Sequence, residues 1–169
     1  MPTVILIGPP GAGKSSVAKS LAKLLDLKHA DTDHIIEKEL GKKISEIFVD
    51  EGEEYFRKVE ADVVRRALIE EPGVLSLGGG AILDPQTQAA ISSSEAPVIF
   101  LNVSISQAGP RVGFNKDRPL LLINPRQQWL ALMEKRRPIY ETLSDQIIST
   151  DNKKATEVAA EIVQYLGQR

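Results

Sequence analysis

Residues 8–15 form the stretch of the chain whose residue types and spacing point most directly to chemistry. They match the pattern G-x-x-x-x-G-K-S/T of a loop that binds nucleotide phosphates, and they read Gly8-Pro9-Pro10-Gly11-Ala12-Gly13-Lys14-Ser15. Glycines let successive backbone N–H groups point at a phosphate, and the N-terminus of a following helix adds a positive end. Lys14 would supply a mobile charge for the β- and γ-phosphates, and the Ser15 hydroxyl suits Mg²⁺. We therefore expect a nucleotide on Gly11, Ala12, Gly13, Lys14, Ser15 and Ser16.

The residues on either side of this loop supply the elements that must position it. A β-branched apolar run, Thr3 to Ile7, precedes the loop and is typical of a buried strand. Apolar residues recur at helical spacing from Val17 to Leu25, which places the start of a helix near Lys14. A glycine turn that merely caps a helix is the alternative, but it would not require lysine and serine in this frame.

Strand and helix patterns alternate along the rest of the chain. Further strands are predicted at 27–31, 74–77, 98–102 and 146–149. Helices are predicted around Ile35, after a cap at Ser45, over Glu53–Glu70, from Pro85, from Pro125 into Arg136-Arg137-Pro138, and through Val158 to Leu166. This order predicts an α/β fold of three layers, with a five-stranded parallel sheet and helices on both faces. We expect one domain over residues 1–169, with a mobile loop near 109–122.

Composition narrows the class of protein and the partners it could have. The net charge of −2 provides no basic field for nucleic acid, and the absence of cysteine excludes a thiol nucleophile or a disulfide. No apolar run approaches a membrane span, and the first strand begins at Thr3, with no room for a targeting peptide before it. We therefore expect a cytoplasmic protein that works without nucleic acid or membrane, and a monomer.

Other proteins that use a phosphate loop fit the chain less well. Switch GTPases read guanine with Asn-Lys-x-Asp at the end of a strand, whereas residues 115–118 read Asn-Lys-Asp-Arg in an irregular segment. A motor ATPase is excluded by the length of 169 residues. A small kinase that phosphorylates a small molecule remains.

A set of further motifs then resembles the shikimate kinase family over nearly the whole chain. Besides the phosphate loop, the set comprises Asp31-Thr32-Asp33, Phe56-Arg57-x-x-Glu60, Leu77-Gly78-Gly79-Gly80-Ala81, Arg118-Pro119-Leu120 and Arg136-Arg137-Pro138-x-Tyr140. The resemblance implies a phosphate-loop kinase fold and transfer of the γ-phosphate of ATP to the 3-hydroxyl of shikimate. That reaction serves the pathway to chorismate and the aromatic amino acids, with Mg²⁺ as the metal.

Asp31 and Asp33 are the carboxylates that such a reaction would use. Alternate residues of an extended segment face the same side, so Asp31 could hold a Mg²⁺ ligand or water while Asp33 accepts the proton of an attacking hydroxyl. The resemblance implies that Asp33 contacts the shikimate hydroxyls, with Asp31 in the outer shell of the metal. The alternative is that both aspartates only cap the following helix.

Shikimate carries one carboxylate, which arginine matches with two parallel hydrogen bonds. The resemblance gives this role to Arg57 and Arg136, while Gly79 and Gly80 offer backbone N–H groups. Arg57 could instead be a solvated residue paired with Glu53 or Glu60. Arg136 and Arg137 could likewise be charges in the last turn of a helix, and the family pattern selects Arg136.

The segment from 109 to 122 supplies cations for the moving phosphate. The resemblance identifies Arg118 as the arginine that closes over the transferring group. Arg111, seven residues earlier, could reach the nucleotide. Solvated loop charge is the alternative for Arg111 and Lys116. The turn containing Asn152 and Lys153 is expected to line the adenine.

Two other functions stay open on the residues alone. One is a related small-molecule kinase, of the gluconate or nucleoside monophosphate type. The other is a nucleotide-binding module that regulates a partner without catalysis; it would bind ATP but release no ADP in response to an acceptor.

Overall fold

The structure is a computed structural model that describes residues 1–112 and 124–169. Within these ranges a five-stranded sheet has the strand order β2-β3-β1-β4-β5, and every neighbouring pair is parallel. The strands are β1 (Pro2–Ile7), β2 (His29–Asp31), β3 (Gly73–Ser76), β4 (Val98–Asn102) and β5 (Gln146–Ser149).

Eight α-helices within the described residues connect and cover these strands. They are α1 (Lys14–Leu25), α2 (Thr32–Leu40), α3 (Ile44–Glu51), α4 (Glu53–Glu70), α5 (Pro85–Ser92), α6 (Ile105–Val112), α7 (Pro125–Leu143) and α8 (Ala155–Gly167). Helices α1 and α8 pack against each other, whereas α4, α5 and α7 form a second group. The expected three-layer α/β fold with a parallel sheet is confirmed.

Strand β1 lies at the centre of the sheet, and residues Val4 to Ile7 are buried because both faces are covered. Ser76 of β3 lies in register with Leu6 of β1 on one side and with Asp31 of β2 on the other. The segments that follow these three strands therefore leave the sheet at the same edge. This edge is where ligands bind in parallel α/β sheets.

Two separate hydrophobic clusters hold the layers together. The main cluster surrounds the sheet and includes Val4 to Ile7 of β1 and Val98 to Leu101 of β4. A smaller cluster of Ile36, Ile47, Phe56 and Val63 lies where α2, α3 and α4 meet. Helix α4 belongs to both, because Val64, Ala67 and Leu68 near its C-terminal end are part of the main cluster.

Three local predictions about helix boundaries were wrong. Gly109 to Val112, expected to begin a loop, belong to α6; the rest of that predicted loop lies outside the described residues. Ser45 does not cap α3, because the helix begins at Ile44, whose N–H donates to the Glu37 carboxylate at 3.1 Å. Helix α7 does not end at Pro138, since this exposed proline is accommodated and the helix continues to Leu143. A short 3-10 turn at Ala81–Leu83 had no counterpart in the prediction.

No helix within the described ranges has the length and apolar character needed to cross a membrane.

Candidate active site

The phosphate loop has the backbone that its glycines suggest. Gly11 has a φ of 83°, and a Cβ at this position would come within 2.8 Å of the carbonyl oxygen of Ala108, so only glycine fits. The Lys14 ammonium donates to the carbonyls of Gly8 and Pro9, at 2.8 and 3.0 Å. These bonds fix the lysine over the loop at the N-terminus of α1, where the helix dipole favours an anion.

Asp31 links the phosphate loop to the second strand. Its Oδ2 accepts a hydrogen bond from the Ser15 hydroxyl at 2.7 Å. Its Oδ1 accepts from the N–H groups of Asp33 and His34, at 2.9 and 3.3 Å, so Asp31 also caps α2. Asp31 therefore does cap α2, as the alternative held. Its other carboxylate oxygen is also bonded to Ser15, the residue proposed to bind Mg²⁺.

Asp33 lies in the first turn of α2, with its carboxylate over Gly78. A Cβ at Gly78 would lie 2.5 Å from Asp33 Oδ1 and 3.0 Å from Glu60 Oε2, which shows how closely both carboxylates approach that backbone. A cavity of about 330 Å³ is lined by the phosphate loop together with Asp31, Asp33, Leu77 and Arg111. The two aspartates and the loop therefore share one space.

Arg57 lies beside the triple glycine and does not extend into solvent. Its side chain is 25% exposed, and its Nη1 donates to Glu60 Oε1 at 2.7 Å. The guanidinium carbon lies 5.3 Å from the centre of the Phe56 ring, a cation–π arrangement. The alternative for Arg57 named pairing with Glu53 or Glu60, and both pairs are present, since its Nε also lies 3.7 Å from Glu53 Oε1. The side chain is nevertheless not freely solvated.

Glu60 is a buried acid that the sequence analysis treated only as a partner of Arg57. It is 3% exposed, and burial raises the pKa of Glu60, with Arg57 acting in the opposite direction. Its spacing from Phe56 and Val64 on α4 places it on the buried face, which was the available signal in the sequence.

Arg136 is buried on the other side of the triple glycine, at 4% exposure. Burial lowers the pKa of Arg136, the nearby Tyr140 opposes that effect, and the positive charge of Arg57 lowers the pKa further. The Nε atoms of Arg57 and Arg136 are both buried, and neither has a hydrogen-bond partner within the described residues. Two neighbouring cations with unsatisfied donors form a site suited to an anion.

Arg137 points elsewhere. Its Nη1 donates to Asn102 Oδ1 at 3.0 Å, and its guanidinium lies 6.0 Å from the centre of the Phe100 ring on β4. A Cβ added at Gly79 would instead lie 3.5 Å from Arg136 Nη1. The structure therefore brings Arg136 to the triple glycine, as the family pattern selected. Arg136 is also two turns from the C-terminal end of α7, so it is not a charge of the last turn.

Of the residues expected around the nucleotide, Arg111 and Asn152 make contacts at this end of the site, whereas Lys153 pairs with α8. Arg111 donates to the Gly11 carbonyl and to the Thr150 hydroxyl, both at 3.3 Å, so it bridges the phosphate loop and the end of β5. The Asn152 side chain accepts from Gln107 Nε2 at 3.3 Å, which joins the turn to α6. Lys153 faces α8, where its ammonium pairs with Glu161 at 2.9 Å. Arg118 and Lys116 lie outside the described residues.

Two aromatic residues of α7 contact the site and were not predicted to do so. Trp129 Nε1 donates to the Pro10 carbonyl at 2.9 Å, and the Tyr140 hydroxyl donates to the Gly79 carbonyl at 2.5 Å. The sequence analysis included Trp129 only as part of the helix predicted from Pro125, and it quoted Tyr140 only within a motif. Their spacing on a helix was the only signal that they share a face with Arg136.

Oxygen donors at this edge suit a hard cation, but a metal would need further ligands. Within the described residues, no group of three or more His, Cys, Asp or Glu residues could hold a metal ion. Ser15 and Asp31 would therefore have to be supplemented by phosphate oxygens and water, which is how Mg²⁺ is commonly held beside a nucleotide.

Comparison with known proteins identifies the family. The family model described as shikimate kinase matches residues 10–167. A shikimate kinase from Streptomyces coelicolor is 46% identical over 157 residues, which cover 93% of this chain and 91% of that protein. One from Thermobifida fusca is 46% identical over 162 residues, 96% of this chain and 92% of that protein. The solved structure of shikimate kinase from Acinetobacter baumannii in complex with shikimate superposes with a TM-score of 0.95 and 34% identity, covering 99% of this chain and 94% of that one. The chain belongs to the shikimate kinase family.

Proposed function

We propose that this cleft transfers the γ-phosphate of ATP to the 3-hydroxyl of shikimate, within the route to chorismate and the aromatic amino acids. The observation that carries the proposal is the convergence of a phosphate loop, Asp33, the half-buried Arg57 and the buried Arg136 at one edge of the sheet. A nucleotide-binding module would need only the first of these. The two arginines, of which Arg136 is buried, are suited to a carboxylated acceptor.

ATP binds through its phosphates at the N-terminus of α1. The backbone N–H groups of the loop and the Lys14 ammonium neutralise the phosphate oxygens. Arg111 supports this end from the side, because it already joins Gly11 to Thr150. Asn152, in the turn held against α6, lies toward the adenine.

Ser15 and Asp31 are the residues that would hold Mg²⁺, Ser15 directly and Asp31 through a water or as a ligand. Their 2.7 Å hydrogen bond shows that one hydroxyl and one carboxylate oxygen already meet at this point. A bound Mg²⁺ supplies positive charge that offsets the negative charge developing on the phosphate oxygens.

The acceptor binds on the opposite side of Asp33, between Arg57 and Arg136. The two guanidinium groups receive the carboxylate of shikimate, and Gly79 and Gly80 offer it backbone N–H groups. The absence of a side chain at Gly80 leaves room for the Arg57 guanidinium, which lies where a Cβ would be. Asp33 orients the 3-hydroxyl and accepts its proton as the oxygen attacks the γ-phosphate. The rate enhancement comes from positioning and from fixed charges, since no covalent intermediate with the protein is needed.

The role that the resemblance gives to Arg118 stays a prediction, because the residue lies outside the described ranges. We further propose that the enzyme is a cytoplasmic monomer whose partners are ATP and shikimate, without nucleic acid or membrane. Its net charge of −2 supports this restricted set of partners. Light scattering on the eluting protein would measure the mass in solution and test the monomer.

The decisive experiment is ADP release from the purified protein with Mg-ATP, in the presence and absence of shikimate. We expect ADP release that depends on shikimate, and a product phosphorylated on the 3-hydroxyl. If gluconate or a nucleoside monophosphate stimulates ADP release and shikimate does not, the acceptor assignment is wrong. ATP binding without release in response to any acceptor would favour the regulatory module.

A further inference from the structure

One face of α7 touches both substrate regions of the site. The buried residues of this helix are spaced at three or four positions and therefore lie on one face, namely Trp129, Met133, Arg136 and Tyr140. Trp129, near the N-terminal end, donates to the Pro10 carbonyl in the phosphate loop at 2.9 Å. Tyr140, eleven residues later along the chain, donates to the Gly79 carbonyl in the triple glycine at 2.5 Å.

Each of these bonds also determines where a neighbouring N–H group points. In a trans peptide the C=O of one residue and the N–H of the next point in opposite directions, and no cis peptide bond is present among the described residues. A Pro10 carbonyl held toward α7 therefore turns the Gly11 N–H away from α7. The Gly79 carbonyl, held by Tyr140, turns the Gly80 N–H away from that helix in the same manner.

The two N–H groups are placed where the substrates would need them. Gly11 lines the cavity that contains Lys14, Asp31 and Asp33. Gly80 lies against the Arg57 guanidinium. Within the described residues neither N–H donates a hydrogen bond. Gly80 is buried, and a buried N–H group without a partner is rare unless a ligand completes it, whereas Gly11 is half-buried.

We propose that α7 is a positioning helix that orients one N–H donor for each substrate. Trp129 sets the Gly11 N–H toward the nucleotide phosphates, and Tyr140 sets the Gly80 N–H toward the carboxylated acceptor. Both are positioning residues, because they act on carbonyls of the loops. The division between the two substrates rests on the proposed function, whereas the action of Trp129 on the phosphate loop requires only that a nucleotide binds there.

Trp129→Phe and Tyr140→Phe separate the two effects. Each change keeps an aromatic ring in the core but removes the donor, so a buried carbonyl loses its partner and the peptide can rotate. We expect Trp129→Phe to raise the dissociation constant of ATP about tenfold and the KM for shikimate less than about twofold. We expect the reverse for Tyr140→Phe, because Tyr140 contacts the triple glycine and is also beside Arg136.

Two further variants control for packing. Met133→Leu alters the same buried face of α7 between the two aromatic residues without removing a hydrogen bond. Tyr165→Phe repeats the loss of a tyrosine hydroxyl on α8, away from both loops. Both variants should keep the two KM values of the wild type, and melting curves would verify that all four variants fold.

The chain contains a single tryptophan, which permits a second perturbation if Trp129→Phe does not fold. Growth on 3-benzothienylalanine replaces the indole N–H of Trp129 alone with sulfur while preserving the shape of the ring. This protein should show the same selective loss of ATP affinity.

The readouts are both KM values from a coupled ADP assay, and the ATP dissociation constant from calorimetry. Opposite selectivity of the two aromatic variants would support the proposal. Equal increases in both KM values, or a change in melting temperature with unchanged KM values, would overturn it. If the wild type releases no ADP in response to shikimate, the proposed function fails, and calorimetry with ATP on Trp129→Phe still decides the action of Trp129.

Discussion

Replacing Gly80 with alanine would test whether the Arg57 guanidinium binds the acceptor. Gly80 has φ and ψ near −96° and 0°, a conformation that alanine adopts without large strain. The added Cβ would, however, lie 2.5 Å from Arg57 Nη2 and 2.7 Å from Cζ, well below the 3.4 Å at which ordinary contact begins. The guanidinium must therefore retreat by about 0.9 Å, since the backbone of Gly80 is buried and cannot yield as easily.

The size of the effect follows from the bonds that this movement breaks. A guanidinium displaced by nearly 1 Å no longer meets both the acceptor carboxylate and Glu60, to which Arg57 Nη1 now donates at 2.7 Å. Losing one hydrogen bond between charged groups costs about 1.5–3 kcal/mol, which corresponds to an increase of about 10- to 150-fold in the KM for shikimate. The cost to folding should stay near about 1 kcal/mol, because the displaced atoms are the end of a side chain.

The assay is a coupled measurement of both KM values, accompanied by a melting curve. Gly167→Ala is the matched control, because no atom of the described residues lies within 4 Å of a Cβ at that position. Gly73→Ala is the opposite control: its Cβ would overlap the Lys28 backbone at a φ of +82°, so it should lower stability without a selective change in KM. If Gly80→Ala folds and has the wild-type KM for shikimate, Arg57 does not bind the acceptor. If the variant loses affinity for ATP as much as for shikimate, Arg57 does not act on the acceptor alone.

Three other changes test the remaining roles. Asp33→Asn should abolish turnover in the ADP assay and leave the calorimetric affinity for ATP nearly intact, because the amide cannot accept the proton; substantial residual turnover would contradict this role. Lys14→Met should lower ATP affinity and turnover together, and loss of turnover at unchanged affinity would contradict the proposed contact. Burial raises the pKa of Glu60 above the ordinary value of 4.5, so the charged carboxylate lowers the free energy of unfolding. This destabilisation is lost when the pH falls through the raised pKa toward 4.5, because the buried carboxyl group then binds a proton. The melting temperature of the wild type should therefore rise relative to Glu60→Gln over that range, and an opposite trend would contradict the sign.

The sequence predicted those parts of the molecule that are decided by neighbouring residues. Glu53–Glu70 and the start of α5 at Pro85 agree with the prediction, because an apolar stripe and an Asp-Pro cap act within one or two turns. The phosphate loop was predictable for the same reason, since its glycines and Lys14 are consecutive in the chain. The fold followed from the alternation of strands and helices.

What the sequence did not predict depends on contacts between distant residues. The Trp129–Pro10 bond joins positions 119 apart, and the Tyr140–Gly79 bond joins positions 61 apart. No local pattern specifies which carbonyl an aromatic donor will meet. Pro138 illustrates the same limit: a proline favours a helix end locally, but Tyr140 beyond it is fully buried against the core, and the helix continues.

The two hydrophobic clusters predict which part of the domain unfolds locally at the lower free energy. The Arg57 side of the acceptor site, which includes Phe56, depends on a small cluster formed by α2, α3 and α4. The sheet and the phosphate loop depend on the much larger main cluster. A unit that buries few apolar side chains opens at lower free energy than the rest of the domain, so amide hydrogens of α2 and α3 should exchange with solvent before those of β1 and β4. Native-state hydrogen exchange would then show two cooperative units, and a bound acceptor should slow exchange in the smaller one.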